Sequence, residues 1–440
     1  MRVRDVLFAA FGALVLAACA PKVPHPSFRQ YAWQDLEYYM FCHFGPNTFT
    51  NLEWGHGDED PGVFNPSDLD CRQWARIAKA AGMKGIIITA KHHDGFCLWP
   101  SGYSSHTVAQ SSWKGGKGDV LRELEQACRE EGILFGVYIS PWDRNHPTYG
   151  TVEYNKVYAD MLREVHSGYG PIFEQWFDGA CGEGPNGKKQ VYDWKLFHKV
   201  VRELSPNAVM FSDIGPDVRW IGNELGYVGE TNWCRLDTAG FTPGAGAPSF
   251  EHLNCGDRDG EAWIPGEVDV SIRPGWFYSP DTDDKVKTVP ELMEIWFSSV
   301  GRGANLLLNV PPDRRGKIHP ADSARLMDFK NERDRLFAID LVSGASIKRS
   351  RSKGSVILDA VWPSPVKVSV VELREDLLQG QFVEGFEVVS VSDNGTESLV
   401  CSGTTIGHKR LLRLPEPVET SHVCIRARTI IRSKISVSLY

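Results

Sequence analysis

The sequence has no excess of basic residues and no apolar run long enough to cross a bilayer comfortably. Its 48 Lys and Arg are outnumbered by 56 Asp and Glu, which gives a formal net charge of −8. A protein that binds phosphate backbones needs a positive field, so this balance argues against nucleic acid as a partner. The apolar stretch near the N-terminus, residues 7–19, is shorter than the roughly 20 residues of a membrane-spanning helix.

Closely paired cysteines are also missing. The chain has ten cysteines, and none of them forms a CxxC pair. This scatter indicates neither a zinc site nor a disulfide framework, and we predict no metal and no cofactor. Most of the cysteines are expected to be small core residues, although an oxidising compartment would permit one or two disulfides. No GxGxxG or P-loop motif follows the first predicted strand, which disfavours a nucleotide-binding fold.

The N-terminus has the features of an export signal. Two arginines precede the apolar residues 7–19, and the segment ends in Leu-Ala-Ala-Cys at Cys19. This ending resembles the bacterial lipobox, which implies removal of residues 1–18 and acylation of the Cys19 thiol. We therefore predict an exported lipoprotein of the periplasm, outer membrane or cell surface, with residues 19–30 as its tether. The alternative is an ordinary secretory signal in which this cysteine occurs by chance.

Residues 31–342 alternate between short apolar runs and helical segments. Such alternation predicts βαβ units and a parallel sheet. About eight strands over about 310 residues fit a (β/α)8 TIM-like barrel better than an open sheet. The predicted strands lie in residues 37–45, 83–95, 133–143, 171–178, 208–215, 218–224, 268–273 and 304–312. The predicted helices cover residues 67–82, 118–132, 151–166, 191–206, 289–303 and 321–340.

Residues 343–440 differ in sequence pattern from the preceding segment. They consist of short, Val-rich, alternating segments separated by turn signals. This pattern predicts an all-β sandwich domain after the barrel. The domain could pack against the barrel or bind sugar, and the scarcity of aromatic residues with an exposed pattern favours packing.

Polar and aromatic residues are concentrated at the predicted C-terminal ends of the barrel strands, where barrel enzymes place their chemistry. Asp178 is an example, since it follows an apolar run and precedes a glycine-rich turn. Acids, imidazoles and indoles on one rim are typical of a glycosidase pocket, because two acids flank the glycosidic bond and aromatic faces stack on sugars. The candidates are His43, Glu53, Trp54, His92, His93, Tyr138, Trp142, Trp176, Asp178, Arg219, Trp220, Glu224, Arg273 and Trp276.

These segments resemble the α-L-fucosidases of glycoside hydrolase family 29. The motifs that carry the resemblance are WFDG at 176–179, KHHDGF at 91–96 and WIGNE at 220–224. The resemblance covers most of residues 30–340, and the C-terminal β-domain is also similar to that of the family. A mild departure is Phe44 in FCHFG, where the family more often has H-W-G.

The resemblance implies an exo-acting, retaining α-L-fucosidase that acts on fucosylated oligosaccharides or glycoconjugates. Asp178 matches the family's nucleophile, and Glu224 matches the acid/base of the branch that cleaves α1,3/1,4-linked fucose. A retaining mechanism needs two such carboxyls about 5–5.5 Å apart. Trp276 matches an aromatic wall against the fucose methyl group, and Arg273 is a further candidate beside it. The matching substrate-binding residues are His43, Glu53, Trp54, His92, His93, Tyr138, Trp176 and Trp276.

Two other functions compete with this interpretation. The first is a catalytically inactive fucose-binding lipoprotein, which the presence of both acids disfavours. The second is a metal-dependent barrel hydrolase that uses His92 and His93. Adjacent residues on a strand point to opposite faces, and barrel metallohydrolases usually present ligands at positions i and i+2, so the pair disfavours a metal site.

Overall fold

Eight parallel strands form a closed barrel in the computed structural model, which describes residues 23–352, 354–430 and 433–440. The barrel strands are β1 (Tyr38–Cys42), β2 (Gly85–Lys91), β3 (Leu134–Ile139), β4 (Ile172–Trp176), β5 (Val209–Ser212), β6 (Val218–Trp220), β7 (Gly266–Ser271) and β8 (Asn305–Asn309). Each strand pairs in parallel with the next one along the chain, including β6 with β7 across the long connection between them, and β8 closes the barrel on β1. The predicted barrel is confirmed, whereas the predicted signal 1–18 and Cys19 lie outside the described residues.

Nearly all residues of the barrel strands are buried, partly by the helices of the same domain. The helices are α1 (Phe28–Gln34), α2 (Pro46–Thr50), α3 (Cys71–Ala80), α4 (Val120–Glu131), α5 (Val152–Gly168), α6 (Trp194–Leu204), α7 (Phe250–Cys255), α8 (Val289–Ser298) and α9 (Pro320–Leu336). Asp70 caps α3 by accepting the Gln73 N–H at 2.9 Å, so the helix begins four residues after the predicted start at Ser67. The backbone of residues 68 and 70 is bonded to residues 315 and 316, which keeps it out of the helix.

One unit of the barrel has no helix. Residues 213–217 connect β5 directly to β6, and β6 is only three residues long. The chain from residue 221 to residue 265 then contains α7 and a pair of two-residue strands. This is the region in which the sequence pattern is loosest, and it departs from a regular (β/α)8 repeat.

The nine cysteines among the described residues are all free, and six of them are buried. Their burial agrees with the prediction that most are small core residues. Within the parts of the chain that the structure describes, no helix combines the length and the apolar character needed to cross a membrane.

The C-terminal β-domain is antiparallel and follows α9 after a short turn. Its strands are β9 (Ser346–Ser352), β10 (Ser355–Glu375), β11 (Val383–Val391), β12 (Glu397–Gly403), β13 (Arg410–Thr429) and β14 (Ile435–Leu439). All six are hydrogen-bonded in the order β9-β10-β13-β11-β12, with β14 on β10. Strand β10 changes register between Val361 and Val366, and Leu358 and Leu373, from its two halves, share one core. The two halves of this long strand therefore pack into the same core.

The β-domain packs against the barrel through buried polar contacts. Gln381 is fully buried; it accepts the Cys234 N–H at 2.7 Å and donates to the Asn232 carbonyl at 2.9 Å. Lys409 and Arg374 both bind Glu37, which immediately precedes β1. Burial alone would raise the pKa of Glu37, but a hydrogen bond from His408 and the charges of Lys409 and Arg374 hold it well below its usual range. These contacts agree with the packing role predicted for the domain.

Candidate active site

A cavity of about 160 Å³ lies at the C-terminal ends of the barrel strands. Its wall combines acids, imidazoles and aromatic rings, and no Lys or Arg is among the described residues that line it. The lining residues are Phe41, His43, Trp54, His92, His93, Tyr138, Trp176, Asp178, Ala180, Glu224, Asp269 and Trp276. Of the catalytic and substrate-binding residues that the family resemblance implied, all line the cavity except Glu53, which instead binds the Trp276 backbone. The other strand-end candidates do not line it; they are Trp142, Arg219, Trp220 and Arg273.

A larger cleft of about 400 Å³ lies between α1 and the β-domain. Two of its basic residues are paired with acids, Lys434 with Asp376 in the cleft and Arg374 with Glu37 beside it. It is far less rich in aromatic rings than the barrel cavity, which combines three acids with a wall of indoles and imidazoles. The residue types that a glycosidase site needs are therefore found in the smaller cavity, inside the barrel.

Asp178 lies two residues beyond β4, and its carboxylate is oriented by two donors. The Tyr138 hydroxyl donates to Oδ2 at 2.9 Å, and the Ala180 N–H donates to Oδ1 at 2.7 Å. His93 Nε2 is 3.6 Å from Oδ2, and a quarter of the Asp178 side chain is exposed. The Asp178 carboxyl group is therefore fixed in direction and open to the cavity.

Glu224 lies in the loop after β6, at the rim of the same cavity. The Trp276 indole N–H donates to its Oε2 at 3.1 Å. Partial burial raises the pKa of Glu224, and the charges of Asp178 and Glu53 oppose the lowering effect of the Trp276 hydrogen bond. A carboxyl group with a raised pKa at the rim of the cavity has the property that a general acid needs.

His43 is held in one tautomer by Asn309, at the end of β8. The Asn309 amide nitrogen donates to Ser271 Oγ at 2.9 Å and to the Trp276 carbonyl at 2.8 Å, so its Oδ1 is the acceptor for His43. His43 Nδ1 donates to that oxygen at 2.9 Å. Burial lowers the pKa of His43 to about 3. The neutral ring therefore has Nε2 free as an acceptor.

His93 is oriented in the same way by Ser140. The Ser140 hydroxyl donates to the Trp142 carbonyl at 2.8 Å, so its oxygen accepts from His93 Nδ1 at 2.8 Å. Burial lowers the pKa of His93 to about 4. The neutral ring presents Nε2 as an acceptor on the side that faces Asp178.

His92 and His93 line the same cavity with ring centroids 4.2 Å apart, although adjacent strand residues should face opposite ways. The expectation was wrong because β2 ends at Lys91, so neither histidine belongs to the strand. His92 stacks on Tyr138 with an interplanar angle of 17°. Among the described residues, no group of three or more His, Cys, Asp or Glu side chains is arranged to hold a metal ion.

Tryptophans form the apolar side of the cavity. The Trp276 ring lies 5.0 Å from that of His43, and Glu53 accepts the Trp276 backbone N–H at 2.9 Å. Trp176 stacks on a core phenylalanine at the base of the cavity. Trp54 is 56% exposed and packs edge-on against Trp142, so it stands at the entrance. Each ring leaves a face or an edge available to a ligand.

Two of the strand-end arginines are structural. Arg273 has a fully buried side chain that binds Asp322 at 2.8 Å and Asp283 at 2.9 Å, and it does not reach the cavity. Arg219 is also buried, and it donates to the Leu253 and Ile264 carbonyl groups. The candidate role of Arg273 beside Trp276 was therefore wrong, because two carboxylates hold its guanidinium elsewhere.

Sequence reasoning missed several groups that complete the site. Asp213 directly follows β5, and its carboxylate packs so closely against Gly179 that a Cβ there would lie 2.0 Å from Oδ2. Burial raises the pKa of Asp213 to about 6, and the charge of Asp178 adds to this. The strand-end position that identified Asp178 also applied to Asp213. Asn309, Ser140 and the strand residue Asp269 had no comparable signal.

Comparison with known proteins places this site in a known enzyme family. Residues 25–331 match the family model described as Alpha-L-fucosidase. The chain is 40% identical over 429 residues to alpha-L-fucosidase 1 of Arabidopsis thaliana, covering 91% of this chain and 84% of that protein. A solved glycoside hydrolase 29 family member from an unknown rumen bacterium superposes with a TM-score of 0.88 at 41% identity, covering 96% and 78% of the two chains. A Ruminococcus gnavus GH29 fucosidase, solved in complex with fucose, gives a TM-score of 0.85 at 31% identity, with 96% of each chain covered.

Proposed function

The chain belongs to the alpha-L-fucosidase family, glycoside hydrolase family 29, and on that basis we propose that it is an exo-acting, retaining enzyme for α1,3/1,4-linked fucose. The observation that carries the mechanism is the contrast between Asp178, fixed by two donors, and Glu224, whose pKa is raised at the rim of the same cavity. A retaining glycosidase requires one ionised and one protonated carboxyl on the two sides of the scissile bond.

In the proposed reaction, Asp178 attacks the anomeric carbon of the fucosyl group. A C1–Oδ bond forms while the bond to the leaving oxygen breaks, and Glu224 gives its proton to that oxygen. Glu224, now ionised, takes a proton from water, whose oxygen displaces Asp178 from C1. Two displacements at the same carbon return the original anomeric configuration.

The histidines and tryptophans fit the recognition of a 6-deoxy sugar. His43 and His93 present acceptor nitrogens to the hydroxyl groups of the sugar, and the nearby indoles offer an apolar wall to its methyl group. Aromatic rings favour such C–H faces, whereas buried hydroxyls need hydrogen-bond partners.

Proton NMR of the first sugar released from an aryl α-L-fucoside tests the mechanism. The proposal predicts that the α-anomer appears before mutarotation, and initial release of the β-anomer would contradict it. The linkage is tested separately with fucosylated trisaccharides. We expect hydrolysis of α1,3- and α1,4-linked fucose, and a preference for α1,2-linked fucose would contradict that part.

The two alternatives make opposite predictions in the same assay. A protein that binds fucose without hydrolysing it would release no sugar. A metal-dependent hydrolase would lose its activity in the presence of a chelator, whereas the proposed mechanism is insensitive to chelators.

We also propose that Cys19 is lipidated and anchors the protein at the membrane after export. The support is the Leu-Ala-Ala-Cys sequence after an apolar segment that two arginines precede. Metabolic labelling with an alkynyl fatty acid in a bacterial host tests this. The full chain should be labelled and fractionate with membranes, and Cys19→Ala should abolish labelling. Labelling that persists in Cys19→Ala would contradict the assignment.

A further inference from the structure

Asp269 is a third acid of the cavity that the reaction described above does not use. It lies in the middle of β7, is 2% exposed, and lines the same cavity as Asp178 and Glu224. Its Oδ1 has no hydrogen-bond partner among the described residues. Leaving a buried polar group unpaired costs about 1–3 kcal/mol, so such a group in a native protein calls for a functional explanation.

The inward-facing residues on either side of Asp269 are fully engaged. Glu267 binds the Tyr39 hydroxyl and accepts the Trp176 indole N–H at 2.8 Å. Ser271 accepts from Asn309 and donates to the Gly275 carbonyl at 2.7 Å. Along this face of β7, the fold supplies partners above and below Asp269 but not for Asp269 itself.

The neighbouring strand β8 provides no hydrogen-bond partner for Asp269 either. Asp269 is paired in register with Leu307 of β8, which belongs to the apolar cluster inside the barrel. No cation lines this part of the cavity among the described residues. Burial raises the pKa of Asp269 well above its usual range, and the charges of Glu224, Glu267 and Asp178 act in the same direction. A neutral carboxyl of this kind is both a donor and an acceptor.

We propose that Asp269 contacts the sugar directly, by donating its carboxyl proton to one ring hydroxyl at the inner end of the cavity. This inference rests on the proposed function, since the hydroxyl belongs to the bound fucosyl group. Asp269 then determines specificity: a sugar without that hydroxyl leaves the acid unpaired, and a site built to bond a hydroxyl rejects such an analogue strongly.

The test uses a series of aryl α-L-fucosides, each lacking one ring hydroxyl, and measures kcat/KM relative to the parent fucoside. In the wild-type protein, we expect the removal of one particular hydroxyl to cost about 100-fold or more through Asp269. In Asp269→Ala, that penalty should fall to below about 5-fold, and the penalties for the other hydroxyls should stay as they are. Because both proteins see the same substrates, differences in intrinsic reactivity cancel.

Conservative variants separate contact from packing. Asp269→Asn keeps a donor and an acceptor and should retain the discrimination, and Asp269→Ser is a second truncation in case the alanine variant does not fold. Val268→Ala changes the adjacent outward-facing residue of β7 and should keep the wild-type penalties.

Each outcome of this series has a definite meaning. If a folded Asp269→Ala or Asp269→Ser variant showed the same penalty as the wild-type protein for every hydroxyl, the inference would be overturned and the proposed function would stay intact. Failure of the wild-type protein to hydrolyse the parent fucoside would overturn the proposed function, and the inference with it.

Discussion

Two pairs of acids line the inside of the barrel, and their surroundings differ completely. The deeper pair, Glu174 and Glu267, is fully buried. Trp33 donates to Glu174 at 2.8 Å, and Trp176 donates to Glu267 at 2.8 Å. Burial raises the pKa of both carboxyls, so this pair holds a proton to higher pH than exposed carboxyls do.

The upper pair, Asp178 and Glu224, keeps access to solvent. Both carboxyls also accept hydrogen bonds from aromatic side chains, yet a quarter of the Asp178 side chain remains exposed and Glu224 stands at the rim. A carboxyl group therefore has a structural role where aromatic donors and burial enclose it, and it can take the catalytic role proposed above where one side is open to substrate. Mutations that affect only one pair test this distinction.

The largest effect is expected for Asp178→Ala. Loss of the nucleophile should lower kcat/KM on an aryl α-L-fucoside by about 10⁴-fold or more, since no neighbouring group replaces it. Its free energy of unfolding should stay within about 1 kcal/mol of wild type, because the side chain is only partly buried. Circular dichroism and thermal unfolding supply the control, and a variant that keeps full activity would remove Asp178 from the reaction.

Glu224→Gln should have a smaller effect that depends on the substrate. General acid catalysis contributes about 10²- to 10⁴-fold, so hydrolysis of a fucosylated trisaccharide should fall by about that factor. An aryl fucoside with an activated leaving group needs little protonation, and its cleavage should fall much less. Equal losses on both substrates would argue against Glu224 as the acid.

The deeper pair should respond in stability. Glu267→Ala leaves the Tyr39 hydroxyl and the Trp176 indole without an acceptor, and we expect it to lower the free energy of unfolding by about 3 kcal/mol. Glu267→Gln retains an acceptor and should cost about 1 kcal/mol. Thermal unfolding distinguishes the two, and an alanine variant as stable as wild type would contradict a structural role for this pair.

The smallest expected effect is on the pH profile. Because the pKa of Glu224 is raised and its acid role requires the proton, kcat/KM should fall as pH rises through that pKa, by about tenfold per pH unit. In Glu224→Gln, assayed with the fucosylated trisaccharide on which the wild-type limb is measured, this alkaline limb should disappear. A limb that survives the substitution belongs to another group.

Much of the site was predictable from the sequence because its signals are local. A continuous apolar strand followed by Asp178 and glycine identifies a barrel strand end without knowledge of the rest of the fold. The histidine pair and Glu224 were accessible through their motifs for the same reason. The eight strands were all predicted, although most are shorter in the structure, as at β2, which stops before His92.

The remainder depends on contacts between distant parts of the chain. Asn309 fixes the tautomer of His43 across 266 positions of sequence, and nothing near either residue indicates the partnership. Asp269 faces inward because of the register of β7 with β8, which local alternation does not determine when both faces of a strand are buried. The direct β5–β6 connection, by contrast, agrees with the predicted strands at 208–215 and 218–224, which leave no room for a helix between them.

The most direct test of the account is chemical rescue of the nucleophile variant. With Asp178→Ala and an activated aryl α-L-fucoside, added azide should occupy the space left by the carboxylate and attack the anomeric carbon from that side. The account predicts restored release of the aryl group and accumulation of β-L-fucosyl azide. Formation of the α-azide, or unimpaired hydrolysis without azide, would contradict the assignment of Asp178.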